Sequence, residues 1–493
     1  MMKRSALIRL RRVCSLSLSL SQREREPERR VVWAMVGVLA IAGCAVGPDY
    51  QRPSAASPAS YKEAPAAEAG WFPAAPADAL DRGPWWRLFG DAELDALMAQ
   101  VDVSNQNIAA AVANYAQARA LVRQQRASLF PSITLDGSAQ RSGGNASAAS
   151  GNRFQASLGA SWEPDVWGRL ARTVESAAAN AQASDADLAS ARLSAQGELA
   201  TNYFSLRDAD AEVDLLKRGV EAYERALKIT QNRYAAGIAA RTDVLQAQTQ
   251  LASTRADLAS LQGTRAQLEH AMAVLVGKAP AEFALAPGAW TMAVPAVPLD
   301  LPSTLLERRP DIASAERAVA AANAQIGIQR AAYFPSVGLS ASYGTAASRI
   351  GDLFRAPSSL WSLGLSAAQT LFDAGATRAA VEGAEAARDA AIARYRQTVL
   401  ASFQSVEDQL AQTRALAEQA GLRLEASEAA DQTEQQLLNR YTQGLVSYSD
   451  VVTAQASALS ARRTVAQLAA SRQAAAIALI QALGGGWHAP NRP

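Results

Sequence analysis

Only two cysteines, Cys14 and Cys44, and two histidines, His270 and His488, occur among 493 residues. That count excludes a disulfide scaffold. It also excludes a zinc or haem centre of the usual kind, because no cysteine pair stands at ligand spacing. Neither His270 nor His488 has a triad or metal partner in the pattern around it, which argues against an enzyme. An excess of one charge is missing too. The 48 basic and 46 acidic residues leave a formal +2, with no basic block beyond the extreme N-terminus, so no nucleic-acid partner is indicated. No apolar run reaches the roughly 20 residues of a membrane helix. The 49% of hydrophobic residues nevertheless suffices for a substantial core.

The longest apolar stretch, VVWAMVGVLAIA at 31–42, follows Arg29-Arg30 and runs into Gly43-Cys44. A basic segment, a short apolar segment and small residues before a cut site predict a signal peptide over 1–43. The tetrad Ile41-Ala42-Gly43-Cys44 resembles the bacterial lipobox, in which the cysteine is acylated and becomes the first residue of the mature chain. Cys44 is thus the expected lipidation site, carrying diacylglycerol and palmitate, and no other cofactor is expected. Residues 1–28 are long for such a segment and carry Glu24, Glu26 and Glu28, so either the start lies too far upstream or the extension is tolerated. Cleavage removes nine basic and three acidic residues, leaving 39 and 43 and a formal −4. Residues 44–90 begin rich in Pro, Ala and Ser without periodicity, as a lipid-anchored strap would. Ala45, as a non-Asp residue after the cysteine, suits sorting to the outer membrane.

The chain is written twice. NRYAAGIAARTDVLQAQ at 232–248 matches NRYTQGLVSYSDVVTAQ at 439–455 at an offset of 207, and SLFPSITLDGSA at 128–139 matches AYFPSVGLSASY at 332–343 at an offset of 204. Two equivalent halves follow, 91–277 and 303–485, joined by a Pro-rich linker at 278–302 and ended by a tail at 486–493.

Each half contains two stretches with period-two alternation. They are 132–140 and 154–162, then a stretch with Val337, Leu339, Ala341 and Tyr343 on one side and another with Trp361, Leu363, Leu365 and Ala367. About nine residues per strand is enough to cross a bilayer at a tilt, although a soluble four-stranded sheet alternates in the same way. In lipid the sheet must close, because unpaired edge groups cost several kcal/mol each. Four strands cannot enclose a lumen, so membrane strands here require several chains to pool them.

Around the strands lie proline-free, Ala-rich stretches that predict helices over 169–233 and 376–440, with partners at 241–276 and 448–483 and others at 91–129 and 303–333. Sixty-five residues span roughly 98 Å, too long for a globule. A heptad seam runs through Leu251, Thr254, Leu258, Leu261, Arg265, Leu268, Met272 and Leu275, and recurs 207 residues on with Arg472 in the place of Arg265. The stems of both arginines are expected to snorkel along this seam. Gly237 and Gly444 suit left-handed helix ends. Thr242 or Asp243, and Ser449 or Asp450, suit the N-caps of the helices that follow.

Several motifs carry a family resemblance: GPDYQRP at Gly47–Pro53, Trp85-Trp86, Phe89-Gly90-Asp91, LLERRPDIASAE at Leu305–Glu316, the two FPS triplets and the duplicated NRYxxG…DV. The chain resembles the outer-membrane factor, or channel-tunnel, lipoproteins that serve tripartite efflux systems. The resemblance implies the outer-membrane efflux protein fold. In that fold a homotrimer pools four strands per chain into a twelve-stranded β-barrel, and two internal repeats per chain build a long α-helical coiled-coil barrel in the periplasm. It implies a cell outer-membrane location, a periplasmic adaptor (membrane fusion) protein, an inner-membrane pump of RND type, and passive export of drugs or other small toxic solutes. Peptide or protein secretion and a non-channel periplasmic scaffold are the alternatives. By the same resemblance Asp450 matches an aspartate ring at the closed periplasmic tip, and Tyr441 a tyrosine that ties the closed state. Thr453 and Val446 depart from relatives that carry an acidic and a basic residue there, so the closing network differs in detail.

Overall fold

The computed structural model describes residues 45–55, 57–58, 60–63, 84–143, 151–288, 290–295, 297, 308–355 and 358–485. The signal segment, Cys44, His488 and the tail at 486–493 lie outside them. The first half runs α1 (Ala92–Ser104), α2 (Gln106–Ala127), β1 (Ser132–Ser142), β2 (Gly151–Trp162), α3 (Arg169–Ala235) and α4 (Arg241–Leu275). The second runs α5 (Pro310–Ala331), β3 (Ser336–Ala347), β4 (Ser359–Ala368), α6 (Ala376–Thr442) and α7 (Tyr448–Ala482). The long helices α3 and α6 have 67 residues each, about 100 Å at 1.5 Å per residue. Their partners α4 and α7 have 35 each, so the repeat written in the sequence is also a repeat of lengths. Among the described residues no helix is long and apolar enough to cross a membrane.

The single helix expected over 91–129 is instead two. Asn105 breaks it, with φ −67° and ψ 124°. Its side-chain oxygen accepts from the backbone N–H groups of Asn107 (2.9 Å) and Ile108 (3.1 Å), capping α2, while its amide donates to the Leu275 carbonyl at 2.8 Å. One buried side chain thereby ends one helix, starts the next and fastens both to the end of α4.

All four strands form one antiparallel sheet in the order β1-β2-β3-β4, leaving β1 and β4 as edges within the chain. The register sorts the side chains cleanly. Leu135 faces Leu158, which faces Tyr343, which faces Trp361, and this row shares its face with Ile133, Leu339, Leu363 and Leu365. On the other face lie Ser132, Thr134, Ser157, Ser161, Ser342, Ser362 and Ser366, linked in part by Oγ–Oγ hydrogen bonds of 2.8 Å at Ser132–Ser161 and Ser342–Ser362. The apolar face is bare, with Trp361 74% and Leu363 77% exposed. A soluble sheet would cover such a face with helices.

The helical core lies below the sheet. Leu94, Met98 and Val101 of α1 pack with Leu199, Tyr203 and Leu206 of α3, Met272 of α4 and Ile477 of α7. A second cluster joins Ile312 and Val319 of α5 to Tyr395, Val399 and Val406 of α6, Leu479 of α7 and Tyr61 of the strap. The heptad seam is buried at Leu251, Thr254, Met272 and Leu275, and in the second half at Ala458, Ala475, Leu479 and Ala482. Arg265 does not snorkel. Its Nε donates to Asp210 Oδ1 and one terminal nitrogen to the Leu285 carbonyl, both at 2.6 Å, because Asp210 is buried across the seam and needs a partner.

The strap is held by named contacts. Gly47 takes φ 109° and lies so close to Gly327 of α5 that a Cβ would meet the Gly327 Cα at 2.5 Å. Arg172 pairs with Asp49 at 2.8 Å, Tyr50 donates to Glu316 at 2.9 Å, and Asn323 donates to the Pro48 carbonyl at 2.9 Å. Glu407 accepts from the N–H groups of Lys62 and Glu63, while Arg414 pairs with the Glu63 carboxylate at 2.6 Å. Arg414 stands 207 residues after Arg207, whose partner Glu93 comes from α1. The strap therefore serves the second half where α1 serves the first.

Candidate functional site

The two helical turns, α3 to α4 and α6 to α7, come together at the end of the molecule away from the sheet. Each long helix ends on a left-handed glycine, Gly237 at φ 72° and Gly444 at φ 78°. Gly237 N–H donates to Tyr234 O and Ile238 N–H to Arg233 O; Gly444 donates to Tyr441 O and Leu445 to Arg440 O. A Cβ at either glycine would meet nothing within 4 Å, so the glycine is required by backbone conformation and not by space. The residue after each glycine projects an apolar side chain, with Ile238 67% and Leu445 65% exposed.

The caps differ from those the sequence suggested. Ser447, not Ser449, is the N-cap of α7, and it forms a capping box with Asp450. Asp450 Oδ2 accepts from Ser447 N–H at 3.1 Å and from its hydroxyl at 2.6 Å, while Ser449 Oγ lies 2.6 Å from Ser447 Oγ. An N-cap needs extended backbone, and Ser447 has it at φ −74°, ψ 158°, whereas Ser449 is already inside the helix. The S-x-x-D spacing of 447–450 was the signal for this box. In the first turn Ala240 occupies the N-cap position without a side-chain bond. Asp243 is half-buried, caps nothing and accepts no hydrogen bond among the described residues.

Behind the turns Tyr441 and Tyr448 are buried with Val451 and Ala247, their rings 5.5 Å apart. The Arg233 guanidinium stands 4.7 Å from the centre of the Tyr441 ring, so the first turn is clamped onto the second by a cation on an aromatic face. Burial pushes the Tyr448 phenol up to about 12. The Tyr441 hydroxyl is buried and has no hydrogen-bond partner among the described residues. Asp450 is exposed at the surface. An open groove of about 480 Å³ runs between α4 and α7, lined by Thr242, Gln246, Thr249, Ser449 and Thr453. The structure thus joins Tyr441 to the first-half turn by packing, and leaves Asp450 as the outward charge of the second.

Higher up α3 lies a buried charge network. Arg207, 1% exposed, pairs with Glu93, with Asp210 at 3.0 Å and with the Ala286 carbonyl at 2.8 Å, above the Tyr203 ring. Glu212 accepts from Arg463 (2.6 Å) and Gln467 (2.8 Å) of α7. Asp208 sits beside this group with one carboxylate oxygen buried and unpaired, and burial, reinforced by Glu212, raises its carboxyl to about 7. A carboxyl raised in the folded state favours folding below its unfolded value near 4, and that contribution is lost as pH rises through 7. Asp208→Asn should therefore raise stability at pH 8 by about 1–3 kcal/mol and leave it nearly unchanged at pH 4. Denaturant titration at the two pH values checks this, and an equal effect at both would contradict it.

The sequence matches the outer membrane efflux protein family over residues 97–278 and 301–485, most of both halves. It is 31% identical over 458 residues to the toluene efflux pump outer membrane protein TtgC of Pseudomonas putida, covering 91% of this chain and 94% of that one. The cation efflux system protein CusC of Escherichia coli is 30% identical over 450 residues, covering 91% and 97%. Among solved structures, the outer-membrane channel OprN aligns with a TM-score of 0.80 at 30% identity, covering 90% of this chain and 100% of that one. The open state of the Neisseria gonorrhoeae MtrE outer membrane channel aligns with a TM-score of 0.80 at 28% identity, covering 90% and 98%. The chain belongs to the outer membrane efflux protein family, as an outer-membrane channel component of an efflux system.

Proposed function

We propose that three copies of this chain close one outer-membrane channel, through which small toxic solutes leave passively after delivery by an inner-membrane pump of RND type and a periplasmic adaptor. The observation that carries this reading is the sheet, four strands with one bare apolar face, one polar face and two edges unpaired among the described residues. In lipid those edges must be satisfied, and pairing β4 of one copy with β1 of the next satisfies them. The polar face then lines a wet lumen. Cysteines placed at Ser157, Ser161, Ser362 and Ser366 in a Cys44-independent anchored background should react with a water-soluble thiol reagent. Those at Leu158, Ala160, Leu363 and Leu365 should react little, and equal labelling of both registers would overturn the barrel. Electron microscopy of the purified oligomer tests the whole reading, which requires a hollow cylinder on a threefold axis. A monomer or a solid bundle would sink it.

In this reading the tip is the gate, with Asp450 forming a ring of like charge and Tyr441 tying the closed state. Cys44 carries diacylglycerol and palmitate as a second anchor beside the barrel. Intact mass of membrane-extracted protein should equal residues 44–493 plus lipid, and an unmodified Cys44 would refute the anchor.

A further inference from the structure

At the loop end of the sheet the charges change character. Among the described residues of this rim, Arg141, Arg153, Arg349 and Arg355 stand against one acid, Asp352. Asp352 meets Arg355 at 3.1 Å, and the Arg355 side chain stays 73% exposed. Arg141, Arg153 and Arg349 are exposed and pair with no carboxylate among the described residues. Between the arginines of the β3–β4 loop two apolar side chains stand free, Ile350 at 71% and Phe354 at 84% exposed.

The register says where Arg141 and Arg153 point. Arg141 pairs with Asn152, on the same face as Ala139 and Phe154, which is the apolar face. Arg349 follows the last β2–β3 pair, Phe154↔Ala347, by two residues, at the start of the β3–β4 loop. Arg153 has the opposite parity and pairs with Gln140 on the serine face. The apolar face therefore carries Arg141 at its loop end, and the adjoining β3–β4 loop adds the exposed Arg349, the Asp352-paired Arg355 and two free apolar side chains.

We propose that this rim is a docking surface for phosphate-bearing glycolipid headgroups of the outer leaflet, held by Arg141, Arg349 and Arg355, with Ile350 and Phe354 against the lipid beneath. Guanidinium forks fit phosphate oxygens in bidentate geometry. Basic groups at a lipid boundary are drawn to anionic headgroups, and apolar neighbours reach the acyl region. The surface continues the lipid-facing side of the barrel, so a lipid and not a soluble partner is the occupant. The inference rests on the barrel reading above.

The test uses the full-length assembly in detergent with EDTA present, so that divalent cations cannot bridge. Native mass spectrometry follows bound bisphosphorylated lipid A. Arg141→Ala with Arg349→Ala and Arg355→Ala should raise the half-saturating lipid concentration about tenfold or more, as expected for lost charge-assisted pairs. Lysine at the same three positions should restore part of the affinity, while Arg153→Ala should leave it unchanged. Should the triple variant assemble poorly, Arg349→Glu alone, in an exposed loop, should give the same direction of change. Unchanged binding in these variants would overturn the proposal. So would equal binding of dephosphorylated lipid A, or full displacement by millimolar inorganic phosphate. Single-channel conductance of each preparation separates this outcome from failure of the barrel reading, since a conducting variant that has lost lipid A, or kept it, is informative about the rim alone.

Discussion

Arg207→Ala should lower the stability of the assembled protein by about 3–5 kcal/mol, the cost of stripping one partner from a buried ion pair. Arg207 is among the largest fully buried side chains, and it satisfies Asp210, Glu93 and the Ala286 carbonyl at once. Its loss strands Asp210, which is only 7% exposed, with Arg265 as its remaining partner. That second cation holds the effect toward the lower end of the range. Arg207→Lys should recover less than half, because an ammonium cannot reach a carbonyl and two carboxylates in different directions. The same guanidinium blocks Gly288, where a Cβ would lie 3.1 Å from its central carbon. Denaturant titration followed by tryptophan fluorescence is a suitable readout, since Trp85 is buried in the adjoining core. A loss below about 1 kcal/mol would show that the network is solvated in the assembly and that its burial in the chain misleads.

Arg207 also shows where the sequence was legible and where it was not. The four strands and the paired turns could be read because each is a local pattern, alternation or a glycine after a helix, and the repeat because it recurs at a nearly constant offset. The partners of Arg207 could not be read. Glu93 lies 114 residues away and Ala286 lies 79 away, and nothing in composition announces such pairings. Asn105 hid for the same reason, as its role depends on the Leu275 carbonyl 170 residues further on. The heptad seam predicts a snorkelling stem for Arg265, because the seam is a local pattern and Asp210, 55 residues away across it, is not. Ser447 is a different kind of miss. Its capping box is local, but the duplicated Asp-Val marks the residues beside the aspartate, whereas the cap lies three before it. The strap residues Tyr61 and Glu63 carried no periodicity at all, and their value to the second half appears only when Arg414 is set beside Arg207.

Tyr441→Phe combined with Asp450→Ala should open the channel more than Tyr234→Phe combined with Asp243→Ala. The two turns occupy matched positions but are not equivalent. Tyr441 is buried and its hydroxyl has no partner within the described chain, whereas Tyr234 is 47% exposed. A buried hydroxyl is costly unless the assembled channel supplies a partner, and a hydrogen bond there is worth on the order of 1 kcal/mol per chain. With such a partner supplied in the closed trimer, breaking three at once would shift the closed–open balance by about 3 kcal/mol, roughly a hundredfold. Asp450 is the exposed acid of the second turn, and three of them on the axis would attract cations. The capping box complicates this variant, because Asp450→Ala also removes the carboxylate that receives Ser447 and costs about 1 kcal/mol of helix stability. Ser447→Ala separates the two effects, since it breaks the cap and keeps the charge. Asp243 caps nothing, so its removal should cost little stability. In a planar bilayer the second-turn pair should raise single-channel conductance and weaken cation preference, while Ser447→Ala should leave cation preference intact. If the first-turn pair opens the channel equally, or Ser447→Ala alone abolishes cation preference, the gate does not rest on the Asp450 charge.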